Sequence, residues 1–283
     1  MKKNKFFIIL LCGIMLLSGC TSASSATPEP EQPAAVIEPP PPEKMVISLV
    51  GDIMVHSSEI TAAYNPEIKS HDFTDFFAPV KPLLQASDLL IGNLETTLAG
   101  PKSGYTGYPL FNAPEVLAVN LKEAGFDVLT TANNHSLDRG VDGILSTIRY
   151  LDEAELLHTG TFATKEEQKK PLFTEVKGCR IAILAYTYGL NGLVLPKNTP
   201  VAVNMLDPLQ IKNDIAVAKS EGAQLVLVAL HFGEEYRATP TQAQIQLAQE
   251  VLQAGADVII GHHPHVLEPV VFYNQTVEKN KLI

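Results

Sequence analysis

Between residues 257 and 269 the chain reads Asp-Val-Ile-Ile-Gly-His-His-Pro-His-Val-Leu-Glu-Pro, so a short apolar run stops at a glycine and delivers three histidines together. Imidazole is the commonest protein ligand for metals. His263 and His265 flank Pro264, whose ring fixes its own φ and biases the residue before it toward extended backbone. The expectation is an extended His263 and two imidazoles splayed in a defined geometry. Four other places offer related chemistry: Gly51-Asp52, Gly92-Asn93-Leu94-Glu95, Ala132-Asn133-Asn134-His135 and His231-Phe232-Gly233-Glu234-Glu235. Carboxylate, amide oxygen and imidazole together suit a hard to borderline divalent ion such as Mn, Fe or Zn. So many groups exceed what one zinc takes. They fit two ions bridged by a carboxylate, an arrangement that activates a water and stabilises both oxygens of an in-line displacement. Asp52, Asn93, Glu95, Asn134, His231, His263 and His265 are therefore the candidate metal ligands. His135, beside Asn134 yet not obliged to bind metal, is the candidate acid for a leaving group.

Each group lies where a strand is expected to end. Residues 45–50, 88–92, 127–131, 224–230 and 257–260 are short, apolar and largely β-branched, and stop at Asp52, Asn93/Glu95, Asn134/His135, His231 and His263/His265 respectively. Helical periodicity fills the intervals at 75–86, 113–124, 140–153, 208–221 and 241–254, with Pro114 opening one helix and Gly125 and Gly255 stopping two. A short strand is expected at 156–157, a hairpin across Lys177-Gly178-Cys179 and another beginning at Val270. In α/β sheets, ligand sites form beyond the carboxyl ends of strands, so groups spread over two hundred residues can converge.

The 283 residues are 46% apolar with a net charge of −10, which fits one globular domain with appendages and gives no sign of a nucleic-acid partner. Of three cysteines only Cys179 falls in the expected domain, where it opens a strand and reads as buried. A thiolate metal site and an internal disulfide are both excluded there. Lys2, Lys3 and Lys5 precede an apolar run from Phe6 to Leu17, which is short for a membrane span, and Leu17-Ser18-Gly19-Cys20 follows. Residues 1–20 thus have the order of a secretory leader with a lipobox, and Cys20 is the expected lipidated residue. Residues 21–44, rich in Ser, Ala, Glu and Pro with four prolines from Pro39 to Pro42, read as an extended spacer. Residues 45–283 form the domain, held at the outer face of the cell membrane. Because the global field is acidic, an anionic substrate would meet local cations, for which Arg139 and Arg237 are placed.

Taken in order, Gly51-Asp52, Gly92-Asn93-Leu94-Glu95, Ala132-Asn133-Asn134-His135-Ser136-Leu137-Asp138, His231-Phe232-Gly233-Glu234-Glu235-Tyr236 and Gly261-His262-His263-Pro264-His265-Val266 resemble the CapA family of bacterial poly-γ-glutamate capsule biosynthesis proteins. The resemblance spans Met45 onward. It implies an α/β fold, the calcineurin-like metallophosphoesterase four-layer β-sandwich flanked by helices. By motif it implies Asp52, Asn134, His231, His263 and His265 as ligands of two divalent ions and His135 as the acid of an Asn-His pair. The partners it implies are poly-γ-glutamate or another anionic cell-envelope substrate, and the subunits of a membrane synthase. Two departures stand out. The phosphoesterase pattern has Asp-x-His at the first strand where Asp52 is followed by Ile53-Met54, the nearest histidine being His56. It also has Gly-Asp where this chain has Gly92-Asn93, which leaves Glu95 to supply a bridging carboxylate. The chain stops at Ile283 inside the last expected hairpin, so a fold truncated at its carboxyl end is expected. Two functions follow: a metal-dependent hydrolase acting on a phosphoester or on the polymer at the cell surface, or a non-catalytic lipoprotein subunit supporting synthesis or export.

The lipobox generates a direct test. Cys20→Ala should block lipid labelling and impair processing, and normal incorporation of radiolabelled lipid by that variant would remove the anchor from consideration.

Overall fold

In the computed structural model the described residues are 44–276 and 279–282; Cys20, the expected leader and the spacer up to residue 43 lie outside them. The chain runs β1 (Ile47–Ile53), α1 (Ser57–Ala63), the small hairpin β2 (Tyr64–Asn65) and β3 (Ser70–His71), α2 (Thr74–Phe77), α3 (Lys81–Leu84) and β4 (Leu89–Leu94). It continues through α4 (Val116–Ala124), β5 (Val128–Thr130), α5 (Gly140–Glu153), β6 (Leu157–Thr159), β7 (Thr161–Phe162), β8 (Leu172–Val176), β9 (Cys179–Thr187) and β10 (Ala202–Val203). The last elements are α6 (Pro208–Ser220), β11 (Leu225–His231), α7 (Gln242–Ala254), β12 (Val258–His262), β13 (Phe272–Thr276) and β14 (Lys279–Leu282).

Two sheets dominate. One has the order β1-β4-β5-β6 with every pairing parallel, and the other the order β13-β14-β12-β11-β9-β8, with β9, β11 and β12 parallel at its centre. Strands apolar at consecutive positions need cover on both faces. In β9, Ile181, Ile183 and Ala185 face the other sheet and meet Leu89, Ile91, Val128, Leu227, Ala229 and Ile260. The alternate residues Ala182, Leu184 and Tyr186 face outward and pack under Ile211 and Ile215 of α6 and Val251 and Leu252 of α7. On the far side Leu90, Leu94 and Leu129 pack under Leu117 and Leu121 of α4 and Leu151 of α5. The result is four layers: helices, sheet, sheet, helices. Each large apolar side chain removed from water in these layers is worth about 1.5–3 kcal/mol, so the outer helices are held by the sheets more than by their own propensity.

Local chemistry accounts for where the elements differ from the sequence reading. The helix expected over 75–86 is instead two single turns, α2 and α3, interrupted at Ala78-Pro79-Val80, because Pro79 donates no hydrogen bond and crowds the turn before it. The polar segment that forms α1 and the β2–β3 hairpin carries too little periodicity to announce itself. Cys179 does open its strand but is part-exposed rather than buried. The hairpin after Val270 forms as β13 and β14.

One irregularity bears on the site. In β1, Leu49 pairs with Ile91 but Asp52 pairs with Asn93, so β1 carries one extra residue over that interval. A bulge of this kind re-aims the side chain that follows it, here Asp52.

Gly160 turns the chain between β6 and β7 at φ +113°, where an added Cβ would lie 2.6 Å from the backbone nitrogen of Ala132 and 2.7 Å from its Cβ. Ala132 opens the loop that carries Asn133, Asn134 and His135. Gly160→Ala should therefore cost about 2 kcal/mol or more through strain and backbone displacement, read as a lower melting temperature. An unchanged melt would show that the β6–β7 turn does not brace that loop.

Candidate metal centre

The strand ends bring the expected groups into one cleft between the two sheets. Asp52 lies at its centre. Its Oδ1 accepts from Asn93 Nδ2 at 2.8 Å and is approached by His262 Nδ1 at 3.3 Å. Its Oδ2 lies 3.1 Å from His265 Nδ1 and accepts the His263 backbone N–H at 3.1 Å. Burial opposes ionisation of Asp52, but the polar contacts of His262 and His265, with the charge available from His262 and His231, outweigh it and hold the carboxyl well below the usual carboxylate range.

Glu95 is the opposite case. It is fully buried, neither of its oxygens has a hydrogen-bond partner, and burial together with the nearby Asp52 pushes its carboxyl up to about 10. His231 Nε2 stands 3.6 Å from Glu95 Oε1 and His265 Nε2 stands 3.9 Å from it. Burial drives His231 well below the usual imidazole range and lowers His263 as well, whereas His265 is raised by its hydrogen bond to Asp52. His263 Nδ1 is also buried and unpartnered. A carboxylate and an imidazole left unsatisfied in the interior cost free energy that a divalent ion between them would recover.

Two ligand sets are assembled. Asp52, Glu95 and His265 form one, and Glu95, His231 and His263 form another; within each, the ligand atoms lie inside 4.8 Å of one another. Glu95 belongs to both, as a bridging carboxylate would. Asn134 reaches the second set, its Oδ1 lying 2.9 Å from His231 Nε2. The donors, two carboxylates with three imidazoles and an amide oxygen, fit two hard to borderline divalent ions. Asn93 is oriented differently from a ligand. Its amide nitrogen faces Asp52 and lies 3.3 Å from His231 Nδ1, while its oxygen accepts from Thr130 Oγ1 at 3.1 Å and Asn133 Nδ2 at 3.4 Å. It braces Asp52.

His135 sits beside the cleft. Asp138 Oδ2 lies 2.7 Å from its Nδ1 and also accepts the Phe111 backbone N–H at 2.7 Å, while the Phe111 ring meets the imidazole edge-on at 4.6 Å. A carboxylate at Nδ1 places the proton there and leaves Nε2 as the working nitrogen.

The backbone at the histidines differs from the extended His263 expected before proline. His263 has φ +96° and His265 φ +55°, both left-handed. The cause is tertiary: the His263 N–H is drawn to Asp52, and the Pro264 carbonyl accepts the Tyr236 N–H at 2.7 Å. Local strain at a ligand site is sustained only where the surroundings overdetermine it.

Several contributors went unmarked in the sequence reading. Glu235 stands with His263 and His265 in a third ligand set. His262 faces Asp52, Tyr188 at the end of β9 lays its ring 4.8 Å from that of His263, and Asn191 accepts from Asn134 Nδ2 at 3.2 Å. Asp138, three residues after His135, was the most legible of them, since i and i+3 groups meet on a turn. Arg139 donates to the Leu110 carbonyl at 3.0 Å and to Thr106, and Arg237 pairs with Glu234 at 2.9 Å at the surface.

Comparison with known proteins bears on the family and the fold. Residues 46–283 match the family model described as bacterial capsule synthesis protein PGA_cap. The chain is 36% identical over 246 residues to the capsule biosynthesis protein CapA of Bacillus anthracis, covering 83% of this chain and 58% of that one. It is 36% identical over 239 residues to the PGA biosynthesis protein CapA of Bacillus subtilis, covering 81% and 60%. The chain thus spans less than two thirds of those relatives. Among solved structures it is similar to a putative 5′-nucleotidase from Staphylococcus aureus in complex with alpha-ketoglutarate (TM-score 0.53, 13% identity, 84% of this chain and 52% of that one). It is also similar to the NAD nucleotidase of Haemophilus influenzae (TM-score 0.50, 15% identity, 74% and 38%). The fold is the calcineurin-like metallophosphoesterase sandwich.

Glu95 sets a pH signature for the metal-free domain. Its carboxyl is raised in the folded state above its ordinary 4.5, so the stability it contributes is intact below that value and is lost as pH rises toward about 10. His265, also raised, contributes with the same sign, whereas the lowered His231 and His263 cost stability only as pH falls below the imidazole range. Chelator-stripped Glu95→Gln should therefore gain on wild type as pH is raised from 7 to 9, by up to about 1.4 kcal/mol per pH unit, while losing divalent-ion binding. A stability difference independent of pH in thermal melts would contradict the protonated, buried Glu95.

Proposed function

The chain belongs to the bacterial capsule synthesis family that includes the CapA proteins, and on that basis we propose that it is a lipid-anchored surface hydrolase of the poly-γ-glutamate capsule system with a two-ion centre. The observation that carries the hydrolytic part is Glu95, a buried carboxylate without hydrogen-bond partners that is common to two ligand sets. Asp52 and His265 would hold one ion with it, and Asn134, His231 and His263 would hold the other; Mn, Fe and Zn suit these donors. Bound there, two divalent ions would supply a polarised water and charge compensation for in-line displacement at phosphorus, or for addition of water to the carbonyl of the polymer amide.

The chain's own groups do the rest. Asn93 keeps Asp52 aimed into the cleft through a 2.8 Å hydrogen bond. Asp138 fixes the His135 ring and balances its charge when both ring nitrogens carry protons, and from that form His135 Nε2–H delivers a proton to the departing oxygen or nitrogen. The absence of a histidine at Met54 leaves one position with fewer imidazoles than the phosphoesterase pattern provides, and Glu95 replaces the aspartate missing from Gly92-Asn93. The substrate is poly-γ-glutamate or another anionic cell-envelope molecule, met at the extracytoplasmic face beside the membrane synthase that makes it.

The test is metal analysis of the purified domain followed by a hydrolysis screen with phosphodiesters and poly-γ-glutamate. His135→Ala should keep wild-type metal content and lose about 100-fold or more in rate. An unchanged rate would remove His135 as the acid. Full metal occupancy with no cleavage of either substrate class by wild type would favour the non-catalytic subunit of a synthase.

A further inference from the structure

Beyond the two sets that share Glu95, Glu235 brings its carboxylate within 4.8 Å of ligand atoms of both His263 and His265, and it does so from the exposed side of the cleft. The position is built. Gly233 turns the chain after β11 at φ +111°, where any other residue would be strained, and packs against the Gln244 side chain. Gln244, itself buried in the first turn of α7, donates to Glu268 at 3.0 Å and so ties the loop after β12 to the same helix. The Tyr236 N–H to Pro264 carbonyl bond, at 2.7 Å, clamps the two loops directly. Tyr236, His263 and His265 are all non-glycine residues at positive φ, 61°, 96° and 55°. Three such residues within one contact describe backbone held in place against its own preference. His263 presents a buried Nδ1 with no partner.

We propose that Glu235, His263 and His265 form an outer capture position for a divalent ion, of the zinc type by its two imidazoles and one carboxylate, through which metal reaches the inner centre. The inference rests on the two-ion reading above. Two physical points single out the outer position as the first contact. An ion at either inner set must reach Glu95, which is fully buried, and so sheds its water before it gains its full complement. At the mouth it meets an exposed carboxylate and the part-exposed His265 while still hydrated on its open side. Transfer inward then exchanges Glu235 for Glu95 and keeps one imidazole, His265 toward the set with Asp52 or His263 toward the set with His231. Two imidazoles and a carboxylate with one place left for water is a recognised zinc donor set.

The experiment uses the full domain, stripped by chelator and returned to zinc. With less than one equivalent, and crystals frozen soon after zinc is added, before transfer inward is complete, anomalous scattering at the zinc edge should place ion density among Glu235, His263 and His265. Glu235→Gln, a change at an exposed residue that leaves the core intact, should slow zinc uptake by about tenfold or more. Its final occupancy at saturating zinc should match wild type. Early density confined to the sets that contain Glu95, together with the same uptake rate in Glu235→Gln and wild type, would overturn the capture position and leave the two-ion reading standing. Failure of wild type itself to bind zinc would overturn both, so the two failures are distinguishable.

Discussion

Glu95 is buried without a hydrogen-bond partner, a few ångströms from the ionised Asp52 and edged by His231 and His265. In a low-dielectric interior two neighbouring carboxylates cannot both hold charge without compensation, and here one is held ionised by imidazoles while the other is held neutral by burial. Much of the surrounding structure follows from having to keep that arrangement assembled. Asn93 must turn its amide nitrogen to Asp52, and Thr130 and Asn133 must satisfy its oxygen. His263 must give up its backbone N–H to Asp52 and accept a left-handed φ in consequence.

The sandwich is suited to that task because its two sheets present their strand ends to the same opening. Asp52, Asn93, Glu95 and Asn134 come from one sheet, and His231, His262, His263 and His265 from the other. The inner faces of β4, β9, β11 and β12 pack in a continuous apolar layer just below. That layer supplies rigidity where the site needs it, since close-packed interiors resist small displacements of the ligands above them. It also supplies the low dielectric that raises Glu95. The packing that stabilises the sandwich is therefore also what leaves Glu95 costly to ionise in the metal-free protein.

The loops beyond the strands carry the discretionary part. The segments after β11 and β12 are joined by the Tyr236–Pro264 bond and by Gln244, and the segment after β9 sends Tyr188 and Asn191 over the cleft. These are where the chain has room to differ from other proteins of its fold without disturbing the core. The exchange of Asp-x-His for Asp52-Ile53-Met54 is such a difference, and His262, arriving from β12, is the imidazole that stands beside Asp52 instead.

Much of this was legible in residues alone. Apolar runs closed by Asp52, Asn93, Asn134, His231 and His263 predicted strands with chemistry at their carboxyl ends, because side-chain burial and backbone pairing are dictated locally and ligand sites gather where such strands stop. The helices with clear periodicity and glycine stops, α4, α5, α6 and α7, were legible for the same reason. Other features were decided only when the chain closed on itself. Pro264 argued for an extended His263, yet a hydrogen bond from 211 residues away made it left-handed. Nothing in the type of Asn93 told that its amide nitrogen would face Asp52; the contacts of Thr130 and Asn133 with its oxygen did. Glu235 and His262 looked like ordinary neighbours of better signals, since sequence records the order of groups along a strand, whereas a metal centre depends on distances between strands.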